Sequence, residues 1–160
     1  MTGASSNLAR ARTLALLAPA LLLGGAYISQ YGFGLYPCEM CWWQRYPHFA
    51  ALFLAAAAFI APWPRLLTWL AAFAILVSGV IGAFHAGVEY GWWEGLTACS
   101  SPVLGDGDPL AAVFDAPLVR CDAVQWSLFG ISLAGWNFLF SSLSFAAIAR
   151  LLLKAGHDQS

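Results

Sequence analysis

Charged residues cut the chain into long apolar runs. None stands between Arg12 and Glu39, and 13–36 is mostly apolar. A second run covers 46–63, a third 66–88 and a fourth 123–149. A spanning helix needs roughly 20 apolar residues. Lipid offers no partner for backbone amides, so such runs fold as helices. The pattern predicts an all-α membrane protein, a four-transmembrane-helix bundle built as one domain over 1–160, with helices at about 13–36, 41–61, 66–88 and 123–149. The second run is the short one. From 46 to 61 a helix rises only about 24 Å, less than the ~30 Å hydrocarbon core. A start near Cys41 closes the gap and leaves Pro47 close to the first turn, where amides lack partners anyway. The alternative start is Tyr46, with Pro47 at the first helical position; the longer helix is favoured.

The segments between the runs are two outer loops, 37–45 and 89–122, and one short inner loop. Arg10, Arg12, Arg65, Arg150 and Lys154 fall in the two tails and the inner loop. An even number of spans puts these on one side, so the basic excess makes that side, with both termini, cytoplasmic. Residues 10–25 also read as a signal peptide. The uncharged stretch runs on too far for one, and retention as the first helix is the expectation. The second outer loop carries a Gly/Pro/Asp cluster at 101–109 that resists regular structure. A short interfacial helix at 110–115 is a weak expectation.

Composition narrows the class. Apolar residues make up 61% and charged residues 9%, against about a quarter charged in an ordinary soluble domain. Mean hydropathy is +0.71. Seven basic against eight acidic residues leave no surface for phosphates, so nucleic-acid binding is excluded.

The four cysteines all fall in the outer loops, in a compartment that permits disulfides. Four cysteines allow three pairings, and close spacing favours Cys38–Cys41 and Cys99–Cys121. Cys38–Cys41 closes a tiny ring at the membrane surface and adds little chain-entropy stabilisation, which suits a redox pair. A Cys41 thiolate would face the positive end of helix 2, with Arg45 one turn on. Arg45 is equally readable as a cation reaching lipid headgroups. Cys99–Cys121 is either a loop staple or a disulfide offered to a soluble partner by thiol exchange. A zinc site is disfavoured because Cys-x-x-Cys lacks a second close pair and His48 and His85 lie inside apolar runs; no metal is expected. Haem is equally weak.

Pro37-Cys38-Glu39-Met40-Cys41-Trp42-Trp43-Gln44-Arg45, then Cys121-x-x-x-Gln125-Trp126-x-x-x-Gly130, resembles the bacterial disulfide bond formation protein B (DsbB) family. His85-Ala86-Gly87-Val88-Glu89 followed by Trp92-Trp93 is similar to the end of its third helix. The resemblance implies a bacterial inner-membrane enzyme that reoxidises a periplasmic thioredoxin-fold dithiol oxidase (DsbA-like) and passes the electrons to ubiquinone or menaquinone. It implies that the partner attacks Cys99–Cys121, that Cys38–Cys41 reoxidises that pair, and that Cys41, assisted by Arg45, meets the quinone. Glu39 and Met40 are not diagnostic.

His85 and Glu89 share a helical face near the outer surface. Ionisable groups at that depth are functional candidates, for quinone binding or proton handling. The aromatic residues of the outer loops form the ordinary interfacial belt. The small residues Gly79, Gly82, Ala83, Ala86 and Gly87 read as a packing stripe. The rival readings are a vitamin K epoxide reductase-like enzyme, a non-catalytic subunit with structural disulfides, and a small transporter.

Overall fold

A computed structural model describes residues 2–96, 100–101 and 119–157. Four helices dominate it: α1 (Thr2–Phe33), α2 (Glu39–Ala57), α3 (Pro64–Glu89) and α4 (Leu133–His157). Three of them, α1, α3 and α4, are long and apolar enough to cross a membrane. α2 is not among these, since Glu39, Gln44, Arg45 and His48 crowd its first half. Its 19 residues rise about 28 Å.

The helices form a ring in which each packs on its sequence neighbours and α1 closes on α4; the diagonal α1–α3 contact is much smaller. Neighbours run antiparallel. Arg45 near the start of α2 donates to Gln30 near the end of α1 (2.7 Å). Arg12 near the start of α1 donates to the Ala58 carbonyl just past the end of α2 (3.2 Å), and Arg65 at the start of α3 donates to the Leu152 carbonyl in α4 (3.4 Å). Arg12 thereby satisfies a carbonyl that ends without a helical partner. One end of the bundle is therefore basic, and the other holds the cysteines.

Helix boundaries differ from the expected ones in readable ways. α1 continues back through Arg10 and Arg12 to Thr2 and stops at Phe33, where Gly34 turns out with φ +68°. α2 begins at Glu39 because Cys38, in extended conformation, caps it; its sulfur accepts the Cys41 N–H at 3.2 Å. Pro47 then sits inside the helix, and α2 ends at Ala57, earlier than expected. The fourth helix begins at Leu133 rather than at 123. A hairpin precedes it, pairing β3 (Ser127–Leu128) with β4 (Ile131–Ser132). Its two-residue turn has left-handed backbone at both Phe129 (φ 53°) and Gly130 (φ 77°), as a tight hairpin with native twist requires. Tyr90 fastens it to α3: its hydroxyl donates to the Gly130 carbonyl (3.2 Å) and accepts the Ser132 N–H (2.9 Å). Two further short strands, β1 (Ser100–Ser101) and β2 (Val119–Arg120), pair antiparallel across the second loop. The 101–109 cluster beyond Ser101 and the expected helix at 110–115 lie outside the described residues.

Two cores fill the ring. At the basic end, Ala11, Ala15, Ala51, Ala55, Ala71 and Ile75 interlock with Ile148 and Leu152. At the other end Cys38, Met40, Val88, Val119 and Cys121 form a separate buried cluster.

Candidate functional site

The start of α2 places the Cys-x-x-Cys pair. Cys38 is 1% exposed, and Cys41 lies one helical turn on, half-buried. Their Sγ atoms face each other at 2.7 Å, unbonded. The sulfur at the cap is that of Cys38, not Cys41 as the sequence suggested. The hydrogen bond to the Cys41 sulfur, and then burial, hold the Cys38 thiol far above its ordinary value.

His85 of α3 reaches this pair from the side. Its Nε2 lies 3.6 Å from Cys38 Sγ and 3.9 Å from Glu89 Oε1, and it meets the Cys121 backbone. Its Nδ1 accepts a hydrogen bond from Gln44 Nε2 at 2.8 Å. The Gln44 amide is oriented in turn by Asn137 of α4, whose Nδ2 donates to Gln44 Oε1 (2.9 Å) and Ser78 Oγ (3.1 Å). This chain fixes the His85 proton on Nε2, facing the sulfurs. Gly82 makes it possible: a Cβ there would stand 2.9 Å from the Ala134 carbonyl and 3.1 Å from Gln44 Oε1.

Cys38, Cys41 and His85 place three potential ligand atoms within 4.8 Å of one another. His85 is remote from the pair in the chain, and only the packing of α3 on α2 brings it there. The tautomer opposes zinc, because the His85 nitrogen facing the sulfurs carries the proton and would have to lose it.

Arg45 is 6% exposed. Besides Gln30 it reaches the Ala26 carbonyl (3.5 Å), and it stacks over Trp42 (4.9 Å) and Tyr27 (5.0 Å). Its charge acts on Cys41 through space. It is thus bound to α1 and not a surface cation reaching for headgroups. Glu89 is buried, with Oε2 lacking a hydrogen-bond partner among the described residues. In β2 and just beyond it, exposed Arg120 pairs with Asp122 (2.9 Å) and holds that carboxyl below its usual range. Cys121 is fully buried and packs in the cluster that contains Cys38. Cys99 lies outside the described residues.

Cys38, Cys41, Arg45, His85, Glu89 and Asn137 line one cavity. It has a volume of about 400 Å³ and runs from Cys41, Arg45 and Glu89 down to His48 and Phe140 between α1, α2 and α4. Cys38, Cys41, Arg45, His85, Glu89 and the 120–121 segment are thus brought together from three separate stretches of chain. The sequence reading missed Gln44, Ser78, His48 and Asn137. Their signal was available, since a polar side chain inside an apolar run must find a partner.

The disulfide bond formation protein DsbB family matches residues 9–151. The chain belongs to this family. Relatives named disulfide bond formation protein B include one from Verminephrobacter eiseniae, 33% identical with 89% of this chain and 83% of that protein covered. Another, from Hahella chejuensis, is 33% identical over 84% and 87%. An uncharacterized protein of Rickettsia prowazekii is 26% identical over 76% and 74%. No solved structure gives a significant match. As a DsbB-family member the chain is a multi-pass membrane protein of disulfide bond formation.

Proposed function

We propose that this protein is a quinone-dependent disulfide oxidase of the bacterial inner membrane. In this reading α2 is a fourth span, both termini are cytoplasmic and the cysteine end is periplasmic. A thioredoxin-fold dithiol oxidase is the soluble partner, and Cys99–Cys121 is the disulfide it attacks. The observation that carries the reading is the convergence of Cys38, Cys41 and Cys121 beside one largely apolar cavity that reaches membrane depth.

The residues divide the work. Cys121 shares a buried cluster with Cys38 and acts on its thiol through space, so exchange between the two pairs passes through a Cys38–Cys121 mixed disulfide. His85 Nε2–H stands beside Cys38 Sγ and stabilises negative charge there while that bond breaks. Cys41 is then the sulfur left facing the cavity, under the charge of Arg45. Closing Cys38–Cys41 releases two electrons and two protons. Quinone, ubiquinone or menaquinone, supplies the acceptor for both. The cavity fits such a ligand: its walls are mostly apolar, its size suits a ring with the start of a tail, and polar groups stand at both ends. Arg45 and Glu89 at the outer end are the residues that would hold it.

The test is to mix detergent-purified protein with a short-chain quinone and a reduced thioredoxin-fold oxidase, and to follow quinone absorbance. The expected result is turnover that disappears in Cys41→Ser and in Cys99→Ser. A fully active Cys41→Ser protein would overturn the scheme. A non-catalytic subunit predicts no turnover with any quinone, with both disulfides intact.

A further inference from the structure

His48 is 3% exposed and lines the inner end of the cavity. It lies seven residues after Cys41, two turns along α2 and on nearly the same face, about 10 Å deeper. Its Nε2 pairs with Asn137 Oδ1 at 3.0 Å. That oxygen can only accept, and it also takes the Ser141 hydroxyl (3.2 Å). The Asn137 amide cannot be turned round, because its Nδ2 is committed to Gln44 Oε1, the Ser78 hydroxyl and the Ser78 carbonyl (3.2 Å). So the His48 proton sits on Nε2, and Nδ1 is a bare lone pair. Among the described residues Nδ1 has no hydrogen-bond partner. A buried acceptor of this kind is costly unless something donates to it. No other side chain of the inner end contributes a donor to it.

We propose that His48 Nδ1 is a subsite for the reduced ligand: it accepts a hydrogen bond from a hydroxyl of hydroquinone, and it has no matching bond to offer the carbonyl of the quinone. This rests on the quinone reading above. In the overall reaction Cys38 and Cys41 lose two thiol protons and two electrons as their S–S bond forms, and quinone gains both to become hydroquinone. A site that prefers hydroquinone raises the oxidising power of the bound couple by linkage, since differential affinity is what shifts an equilibrium. His48 thereby helps to drive disulfide formation at Cys38–Cys41 without touching either sulfur. Asn137 is the positioning residue. Through His48 and through Gln44 it fixes the tautomers of both histidines at once.

The experiment is anaerobic binding of a short-chain quinone and, separately, its hydroquinone to the purified full-length protein, read by tryptophan fluorescence or calorimetry. The wild type should bind hydroquinone about tenfold more tightly than quinone, the worth of one hydrogen bond. His48→Leu should lose that preference while its quinone affinity stays within about twofold. His48→Asn, which puts an acceptor oxygen near the Nδ1 position, should recover part of it. Equal affinities in the wild type, or equal loss of both forms in His48→Leu, would overturn the proposal and leave the quinone reading standing. Binding of neither form by the wild type would overturn both. The wild-type comparison decides even if His48→Leu does not fold.

Discussion

The two ends of the bundle are built differently. At the basic end the helices approach through alanines, with Ile75, Ile148 and Leu152 filling the gaps, and the polar groups there are arginines donating to backbone carbonyls. At the cysteine end the same helices part around a cavity of about 400 Å³. Buried polar groups there, Gln44, His48, Ser78 and His85, are paired across helices through Asn137 and Gln44. In lipid there is no water to drive apolar side chains together, so the first end is held by close packing and the second by hydrogen bonds. Packing accepts no void, whereas a hydrogen-bonded frame can hold one open. That is how one small bundle is both stable and able to take a ligand.

The contrast can be broken at either end. Ile75→Ala at the packed end leaves a void and should cost about 2–4 kcal/mol, read as a lower midpoint of thermal unfolding in detergent. The turnover of the protein that remains folded should be unchanged, because Ile75 is remote from the cavity lining. Asn137→Leu at the cysteine end strips a donor from Gln44 and an acceptor from His48. It should cost about 1–3 kcal/mol and also slow quinone reduction, so stability and activity fall together. Arg45→Lys is the finest probe. It keeps the charge but loses the planar stack between Trp42 and Tyr27. It should raise KM for quinone by about tenfold, some 1.4 kcal/mol, with little change in unfolding midpoint. A stability loss at Arg45 as large as at Ile75 would erase the distinction between the two ends.

Much of this was legible in the chain. The apolar runs located all four helices, since length and hydropathy are properties of a segment by itself. The Cys-x-x-Cys pair, Arg45, and the His85/Glu89 face were visible because their spacing is local. The start of α4 was not, because the hairpin at 127–132 continues the run without a charged break; its Phe129-Gly130 turn was the overlooked signal. The polar frame was missed for a different reason. Gln44 and Asn137 are 93 positions apart and meet only because Gly82 lets α4 come close. Single polar residues inside apolar runs showed that partners existed, but only the packing shows which. The same holds for His85 beside Cys38, 47 positions away.

The central claim is that Cys38 links the two pairs. The most direct measurement is to remove Cys41 and map the disulfides. Peptide mass spectrometry of acid-quenched Cys41→Ser, with no reductant added, should find a Cys38–Cys121 bond, formed as the Cys38 thiolate attacks Cys121 and displaces the Cys99 thiolate from Cys99–Cys121. Finding Cys99–Cys121 intact beside an unbonded Cys38 thiol would contradict it.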